Sequence, residues 1–166
     1  MRNILEPDWE TAESLYPIIK TLIENYETYC DENGDEELTE YKKLETKLHE
    51  LTKKDMSHYE LWEWWEGEGL EVLSFRVSLP EPNIVRDISK EELLEIVKRL
   101  KTPKDFPLNS GNSFKDDFGY YIDNYYYDLI KRNFKKYKPE YFNSQKDKDG
   151  QYFEYSEEEI TEKIFG

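Results

Sequence analysis

The chain has 166 residues and a formal net charge of −15, and its first 71 residues hold twenty carboxylates against seven Lys and Arg. Aromatic residues make up 16% of the sequence, which argues against disorder because disordered acidic chains are poor in aromatic side chains. The negative charge also disfavours direct binding to nucleic acid or to anionic membranes. The length fits a single domain, residues 1–166.

Residues 8–51, within the acidic first part of the chain, are predicted to form a helical hairpin. Apolar residues recur at helical spacing over residues 8–30 and again over residues 38–51. The polar residues 31–37 between them predict a short loop, so the two helices are expected to pack antiparallel. Pro17 should either kink the first helix or mark its restart.

A tryptophan-rich segment follows, and then a candidate strand. Ser57 and Glu60 have the spacing of a capping box, which would open a short helix containing Trp62, Trp64 and Trp65. Apolar residues alternate over residues 70–79, and this pattern predicts a β-strand.

Two further capping boxes predict helices in the second half of the chain. Ser89 with Glu92 opens one helix, after which residues 102–113 are expected to form a loop. Ser156 with Glu159 opens a short helix close to the last residue of the sequence.

A long aromatic helix and a hairpin are predicted between these helices. The helix should run from residue 113 to about residue 138. A hairpin is predicted within residues 141–155, with flanking strands over 141–143 and 151–155 and its turn at Asp149 and Gly150. The predicted fold class is therefore mostly α, or α+β with a small β element.

No pattern of catalytic or metal-binding residues is recognisable. His49 and His58 are nine residues apart, which is unlike the spacing of paired zinc ligands, and we interpret both as surface residues. Cys30 lies on the apolar stripe of the first helix, where a thiol is usually inert. Acidic turns near Asp35 and Asp147 resemble calcium-binding loops but lack required ligand positions. We therefore predict a non-enzymatic protein without a metal or cofactor.

Three segments are candidate partner-binding surfaces. The acidic loop contributes five carboxylates: Asp31, Glu32, Asp35, Glu36 and Glu37. The tryptophan segment contributes one ring and three carboxylates: Trp64, Glu63, Glu66 and Glu68. The tyrosine row contributes three rings spaced seven residues apart and two neighbouring carboxylates: Tyr120, Tyr127, Phe134, Asp116 and Asp123.

Each candidate surface also has a simpler interpretation. The loop carboxylates fit a solvated turn. At least one of the three tryptophans fits a core position, and Trp64 is the one expected to be exposed, because Leu61, Trp62 and Trp65 would share one face of a helix. The tyrosine row is either covered by the C-terminal hairpin or exposed as an interface, for which tyrosine is well suited.

The C-terminal residues 141–160, YFNSQKDKDGQYFEYSEEEI, together with the acidic and aromatic character of the chain, resemble bacterial immunity proteins that neutralise polymorphic or contact-dependent toxins. The resemblance implies a cytoplasmic inhibitor that binds one cognate toxin domain. Its partner would be a basic protein, and a nuclease suits the charge better than a pore-forming toxin.

Two other functions share this composition. One is a phage anti-defence protein that mimics nucleic acid. The other is an enzyme with a carboxylate-rich metal site, which predicts a concave pocket where carboxylates converge with a histidine. An inhibitor is instead expected to present a flat or convex acidic surface.

Overall fold

The computed structural model describes residues 1–103 and 110–166, so part of the loop predicted over residues 102–113 lies outside the described residues. The described residues form seven α-helices and two short β-strands. In chain order these are α1 (Trp9–Asn33), α2 (Thr39–Thr52), α3 (Leu70–Ser78), α4 (Lys90–Lys101), α5 (Ser113–Phe118), α6 (Asp123–Asn133), β1 (Gln145–Lys146), β2 (Tyr152–Phe153) and α7 (Glu157–Phe165). This composition confirms the predicted fold class.

The chain divides into two compact units that differ strongly in charge. The acidic unit comprises Pro7–Glu81 and Asn112–Phe118, and the mixed-charge unit comprises Met1–Glu6, Pro82–Gly111 and Gly119–Gly166. The acidic unit has 22 carboxylates against 8 Lys and Arg, a net charge of −14. The mixed-charge unit has 16 carboxylates against 15 Lys and Arg, a net charge of −1. The charge asymmetry seen along the sequence therefore belongs to one structural unit.

The predicted helical hairpin is present in the acidic unit. The Asp8 carboxylate caps α1 by accepting a hydrogen bond from the Thr11 N–H at 3.0 Å. The helix continues through Pro17, whose ring is exposed. The apolar stripe of α1 packs with α2 and with the chain that follows, and the buried core of this unit contains Ile19, Ile23, Tyr26, Leu44, Leu48, Met56, Leu61, Leu70, Leu73 and Val77.

The prediction of a strand over residues 70–79 is wrong, because Leu70–Ser78 forms helix α3. Leu70, Leu73 and Val77 repeat at helical spacing as well as fitting an alternating pattern, and a short apolar run does not distinguish the two. Ser74, Phe75 and Ser78 are buried too, so this helix has almost no polar face from which its period could be recognised.

Helix α5 completes an aromatic cluster of the acidic unit. Phe118 stacks on Phe75 of α3 with ring centroids 4.8 Å apart, and Phe75 stacks on Trp9 of α1 at 5.7 Å. Phe114 contacts Trp9, Phe75 and Phe118 edge-on or tilted. Offset and edge-to-face aromatic pairs stabilise beyond the area that they bury, so residues 112–118 are an integral part of this unit.

The long aromatic helix predicted from residue 113 is interrupted. Helix α5 ends at Phe118, a 3₁₀ turn spans Gly119–Tyr121, and α6 begins at Asp123. Glycine is a poor helix former, which accounts for the break at Gly119. The rings on either side of the break therefore do not lie along one helical face.

In the mixed-charge unit, both predicted capping boxes are formed. The Ser89 hydroxyl accepts from the Glu92 N–H and the Glu92 carboxylate accepts from the Ser89 N–H, and Ser156 with Glu159 forms the same pair of hydrogen bonds. These boxes begin α4 and α7, which bury Leu93, Ile96, Val97, Ile160 and Ile164.

The first residues of the chain are tied into the mixed-charge unit by charged side chains. Arg2 donates to both carboxylate oxygens of Glu92, at 2.8 and 2.9 Å. Arg99 donates to both oxygens of Glu6 at 2.9 Å and to the Tyr126 hydroxyl at 2.8 Å. The Tyr126 hydroxyl in turn donates to Glu6 at 3.0 Å. The Arg2–Glu92 pair has two parallel hydrogen bonds, which is the stronger kind of Arg–carboxylate pair, and it helps to hold the segment in place.

The predicted hairpin is present, with shorter strands than expected. Gln145 pairs with Phe153 and Lys146 with Tyr152, and Gly150 in the turn has φ +82°. The strand expected over residues 141–143 is wrong, because Pro139–Phe142 forms a 3₁₀ turn. Proline fixes its own φ near the helical value and favours such a start. None of the helices within the described ranges is long and apolar enough to cross a membrane.

Candidate partner-binding cleft

The tryptophan segment between α2 and α3 does not form the predicted capped helix. It contains two 3₁₀ turns, Met56–His58 and Trp64–Glu66, and Glu63 before the second turn has the left-handed φ of +58°. Asp55 caps the first turn in place of Ser57, because its carboxylate accepts from the Ser57 N–H at 2.9 Å. The regular helical spacing on which the prediction depended is therefore absent.

This backbone changes which tryptophan is exposed. Trp65 is 49% exposed, whereas Trp62 and Trp64 are half-buried against the core of the acidic unit. Trp65 contacts Trp62 and Trp64 edge-to-face, with ring centroids 5.4 and 5.5 Å apart. The prediction that Trp64 is the most exposed of the three is thus wrong, since a 3₁₀ turn after a left-handed residue orients the rings differently from an α-helix.

The segment encloses a cleft of about 560 Å³ together with Arg76 from the last turn of α3. Its lining combines aromatic rings, carboxylates and one arginine: His58, Tyr59, Glu60, Glu63, Trp64, Glu66, Gly67, Glu68 and Arg76. The cleft is concave, which differs from the flat or convex acidic surface that we expect of an inhibitor. All four residues predicted for the tryptophan segment, Glu63, Trp64, Glu66 and Glu68, line this cleft.

Arg76 holds one wall of the cleft. Its Nη1 donates to both carboxylate oxygens of Glu68, at 2.6 and 2.7 Å. The same guanidinium lies over the Tyr59 ring, 5.8 Å from its centroid. Glu68 is thereby neutralised, and Tyr59 is positioned by a cation–π contact.

Lys54 supports Tyr59 as well. Its ammonium is 5.0 Å from the centroid of the Tyr59 ring. It also donates to the backbone carbonyl oxygens of Arg76, Val77 and Leu79, at 2.7, 3.2 and 2.8 Å. These carbonyls lie at and just beyond the C-terminus of α3, where a cation complements the helix dipole. One buried lysine therefore joins the end of α3 to the wall of the cleft.

The remaining carboxylates of the cleft carry its negative charge. Glu60, Glu63 and Glu66 are exposed, and within residues 1–103 and 110–166 none of them forms an ion pair. His58 is also exposed, with Nε2 3.7 Å from the Asp55 carboxylate. Among the described side chains, no group of three His, Cys, Asp or Glu is placed to hold a metal ion.

The cleft includes three residues that are not among the predicted partner-binding residues, Tyr59, Glu60 and Arg76, and Lys54 supports its wall. Arg76 lies in a helix and not in the strand that the alternating pattern predicts. The contacts of Lys54 with residues 76–79 span more than twenty positions, so nothing local in the sequence predicts them.

The acidic loop is only partly a loop. Asp31 and Glu32 belong to the last turn of α1, and Glu36 and Glu37 are exposed in the short connection to α2. Asp35 is half-buried and caps α2 by accepting from the N–H groups of Glu40 and Tyr41, at 3.2 and 2.9 Å. It also accepts from the Tyr26 hydroxyl at 3.2 Å.

The hydrogen bonds to Asp35 have a measurable electrostatic consequence. Burial acts to raise the pKa of this carboxyl, but the N–H groups of Tyr41 and Glu40 and the Tyr26 hydroxyl lower it more, so that its pKa lies below the usual value. Asp35 therefore holds the helical hairpin together, which gives it a structural role.

The tyrosine row is divided between separate environments. Tyr120 is 49% exposed, whereas Tyr127 is half-buried with its ring 5.2 Å from that of Phe142. Phe134 is half-buried beside Phe165 of α7, at 6.3 Å. Asp116 lies in α5 of the acidic unit and Asp123 begins α6 of the mixed-charge unit. The five residues do not form one surface of either unit.

Comparisons with protein-family models, with curated proteins and with solved structures give no significant match.

Proposed function

We propose that this chain is an acidic protein inhibitor, an immunity protein that binds a cognate basic toxin domain and occludes its active site. A nuclease is the favoured partner, because a protein that binds phosphates carries clustered Lys and Arg. The observation that carries the proposal is the net charge of −14 on one compact unit, which also contains an aromatic cleft rimmed by carboxylates without ion-pair partners among the described residues.

In this proposal the negative charge of the acidic unit raises the association rate, and its aromatic rings supply affinity. A strong field of one sign attracts an oppositely charged protein over distance and raises the association rate. Aromatic side chains that lose water on binding supply much of the affinity at the centre of an interface. Trp65 lies beside the cleft with half of its surface accessible, so it can supply affinity in this way.

The proposal also specifies a location. A nuclease toxin acts on nucleic acid inside the cell, so its inhibitor is expected to act in the cytoplasm. The concave shape of the cleft is compatible with inhibition, because a protruding basic side chain of the partner would enter a concavity better than it would rest on a flat surface.

The first experiment is co-purification with the product of the adjacent gene, followed by measurement of affinity from low to high salt. We expect a one-to-one complex whose affinity falls as salt rises, because screening weakens contacts between exposed charges. An affinity that is independent of salt would contradict the electrostatic mechanism. A partner that proves to be a host defence nuclease would instead favour a mimic of nucleic acid.

A matched pair of variants locates the interface. We expect the triple substitution Glu60→Gln, Glu63→Gln and Glu66→Gln to slow association by about tenfold at low salt. The control replaces three exposed carboxylates of α1, Glu10, Glu13 and Glu24, by Gln, which changes the charge of the same unit equally. Equal slowing in both variants would place the interface elsewhere on the acidic unit.

One observation favours a second candidate function. His58 lines a concave cleft together with Glu60 and Glu63, and a histidine beside carboxylates is suited to proton transfer in an enzyme. Turnover of a hydrolase substrate by the isolated protein, abolished by His58→Ala, would support this candidate. Full toxin protection by the His58→Ala variant would support the inhibitor.

A further inference from the structure

We propose that the cleft receives a single arginine side chain of the basic partner, with its guanidinium against the Trp64 ring and its charge met by Glu60, Glu63 and Glu66. This inference depends on the proposed function and specifies the chemistry by which the partner is recognised. It is carried by a cleft with an aromatic wall, a negative rim and an internal example of the same interaction.

The internal example is Arg76. Its guanidinium is held by both oxygens of Glu68 and lies over the ring of Tyr59, at the distances given above. The lining therefore already combines a carboxylate and an aromatic face around one guanidinium. The other aromatic wall is Trp64, which has carboxylates nearby and, within residues 1–103 and 110–166, no guanidinium over its ring, since Arg76 is engaged with Glu68 and Tyr59.

The cleft is large enough to admit one side chain. Its volume of about 560 Å³ falls within the range of about 300–1,000 Å³ typical of small-ligand pockets. A side chain extended from a loop of the partner would enter with its guanidinium against the Trp64 ring and within reach of the carboxylates at the rim.

Arginine fits the lining better than lysine. A guanidinium is planar and weakly hydrated, so it stacks on an aromatic ring and pairs with a carboxylate through two hydrogen bonds at once. An ammonium is compact and strongly hydrated, and it gains less from leaving water. Trp64 is the best aromatic type for such a contact.

The experiment uses a small probe and the whole protein. N-acetyl-arginine amide is titrated while the indole N–H signals of Trp64 and Trp65 are followed by NMR. We expect a saturable shift of the Trp64 signal at millimolar probe, about threefold weaker binding of N-acetyl-lysine amide, and no saturable shift with the uncharged analogue N-acetyl-citrulline amide. No saturable shift with the arginine probe, or the same shift with citrulline, would overturn the inference.

Variants separate a specific site from general charge attraction. The double variant Glu63→Gln and Glu66→Gln should weaken binding of the arginine probe by about tenfold, whereas Glu10→Gln with Glu13→Gln should leave it unchanged. Equal weakening by both Gln pairs would show attraction without a site and would overturn the inference.

These outcomes are independent of the outcome for the proposed function. A protein that neutralises its toxin but ignores the arginine probe refutes only the cleft inference. If the protein binds the probe at Trp64 but captures no basic partner and gives no protection, the proposed function is refuted. The cleft would then bind guanidinium groups for a purpose other than toxin inhibition.

Discussion

Replacing Lys54 by Met should destabilise the acidic unit far more than any change to an exposed lysine. Lys54 is only 6% exposed, and its ammonium donates to three carbonyl oxygens at the end of α3. Methionine keeps most of the apolar stem but leaves those carbonyls without this donor in a buried environment. Relief of the cost of burying the ammonium offsets part of the loss, and we expect a net destabilisation of about 3 kcal/mol.

Urea unfolding measures this effect. If the free energy of unfolding falls by about 2 kcal/mol per M of urea, Lys54→Met should lower the urea concentration at the unfolding midpoint by about 1.5 M. The control is Lys53→Met, the same chemical change at the neighbouring exposed position, which should shift the midpoint by less than about 0.3 M. If the midpoints of the two variants agree within this margin, the role of the buried ammonium is refuted. A change in the slope of the free energy of unfolding against urea concentration would instead indicate loss of two-state unfolding.

Three further predictions use the same unfolding assay. Ser74→Ala should be neutral or stabilise by up to about 1 kcal/mol, because the buried Ser74 hydroxyl has no hydrogen-bond partner among the described residues; clear destabilisation would imply a missing contact. The hydrogen bonds from Arg2 lower the pKa of Glu92 from 4.5 to about 2, so the stability that this pair contributes is present above pH 4.5 and lost as the pH falls to about 2. The Glu92→Gln variant should therefore show a flatter dependence of its midpoint on pH over that range, and an unchanged dependence would contradict the assignment. Tyr126→Phe should cost about 1.5 kcal/mol by removing the hydroxyl that donates to Glu6, and a loss below about 0.3 kcal/mol would show that the remaining contacts suffice.

Local signals in the sequence predict the elements that local interactions determine. The capping boxes at Ser89 and Ser156 begin helices where expected, since each box satisfies backbone donors within three residues. The turn at Asp149 and Gly150 is equally local. The stripe of α1 is long enough for its period to be unambiguous, and it overrides the effect of Pro17.

Prediction from the sequence is wrong where tertiary contacts determine the local structure. Residues 70–78 are buried on nearly all sides, so their helical period is hidden, and packing against α1 determines the outcome. The candidate cleft depends on the left-handed conformation of Glu63 and on Lys54, neither of which has a local signature. Sequence analysis therefore identifies the acidic and aromatic composition of the site but assigns the exposed ring to Trp64 instead of Trp65.

The acidic unit is formed by two separate chain segments, residues 7–81 and 112–118, and this affects its folding during synthesis. Residues 7–81 leave the ribosome before Phe114 and Phe118, whose rings contact Phe75 and which follow only after about thirty further residues of the other unit. The aromatic cluster therefore remains incomplete until residue 118 has emerged. A fragment that stops near residue 81 would carry nearly all of the negative charge and the whole cleft, yet it would lack the rings that close its core. Folding of the acidic unit during synthesis thus cannot be completed until residues 82–111 of the other unit have been made.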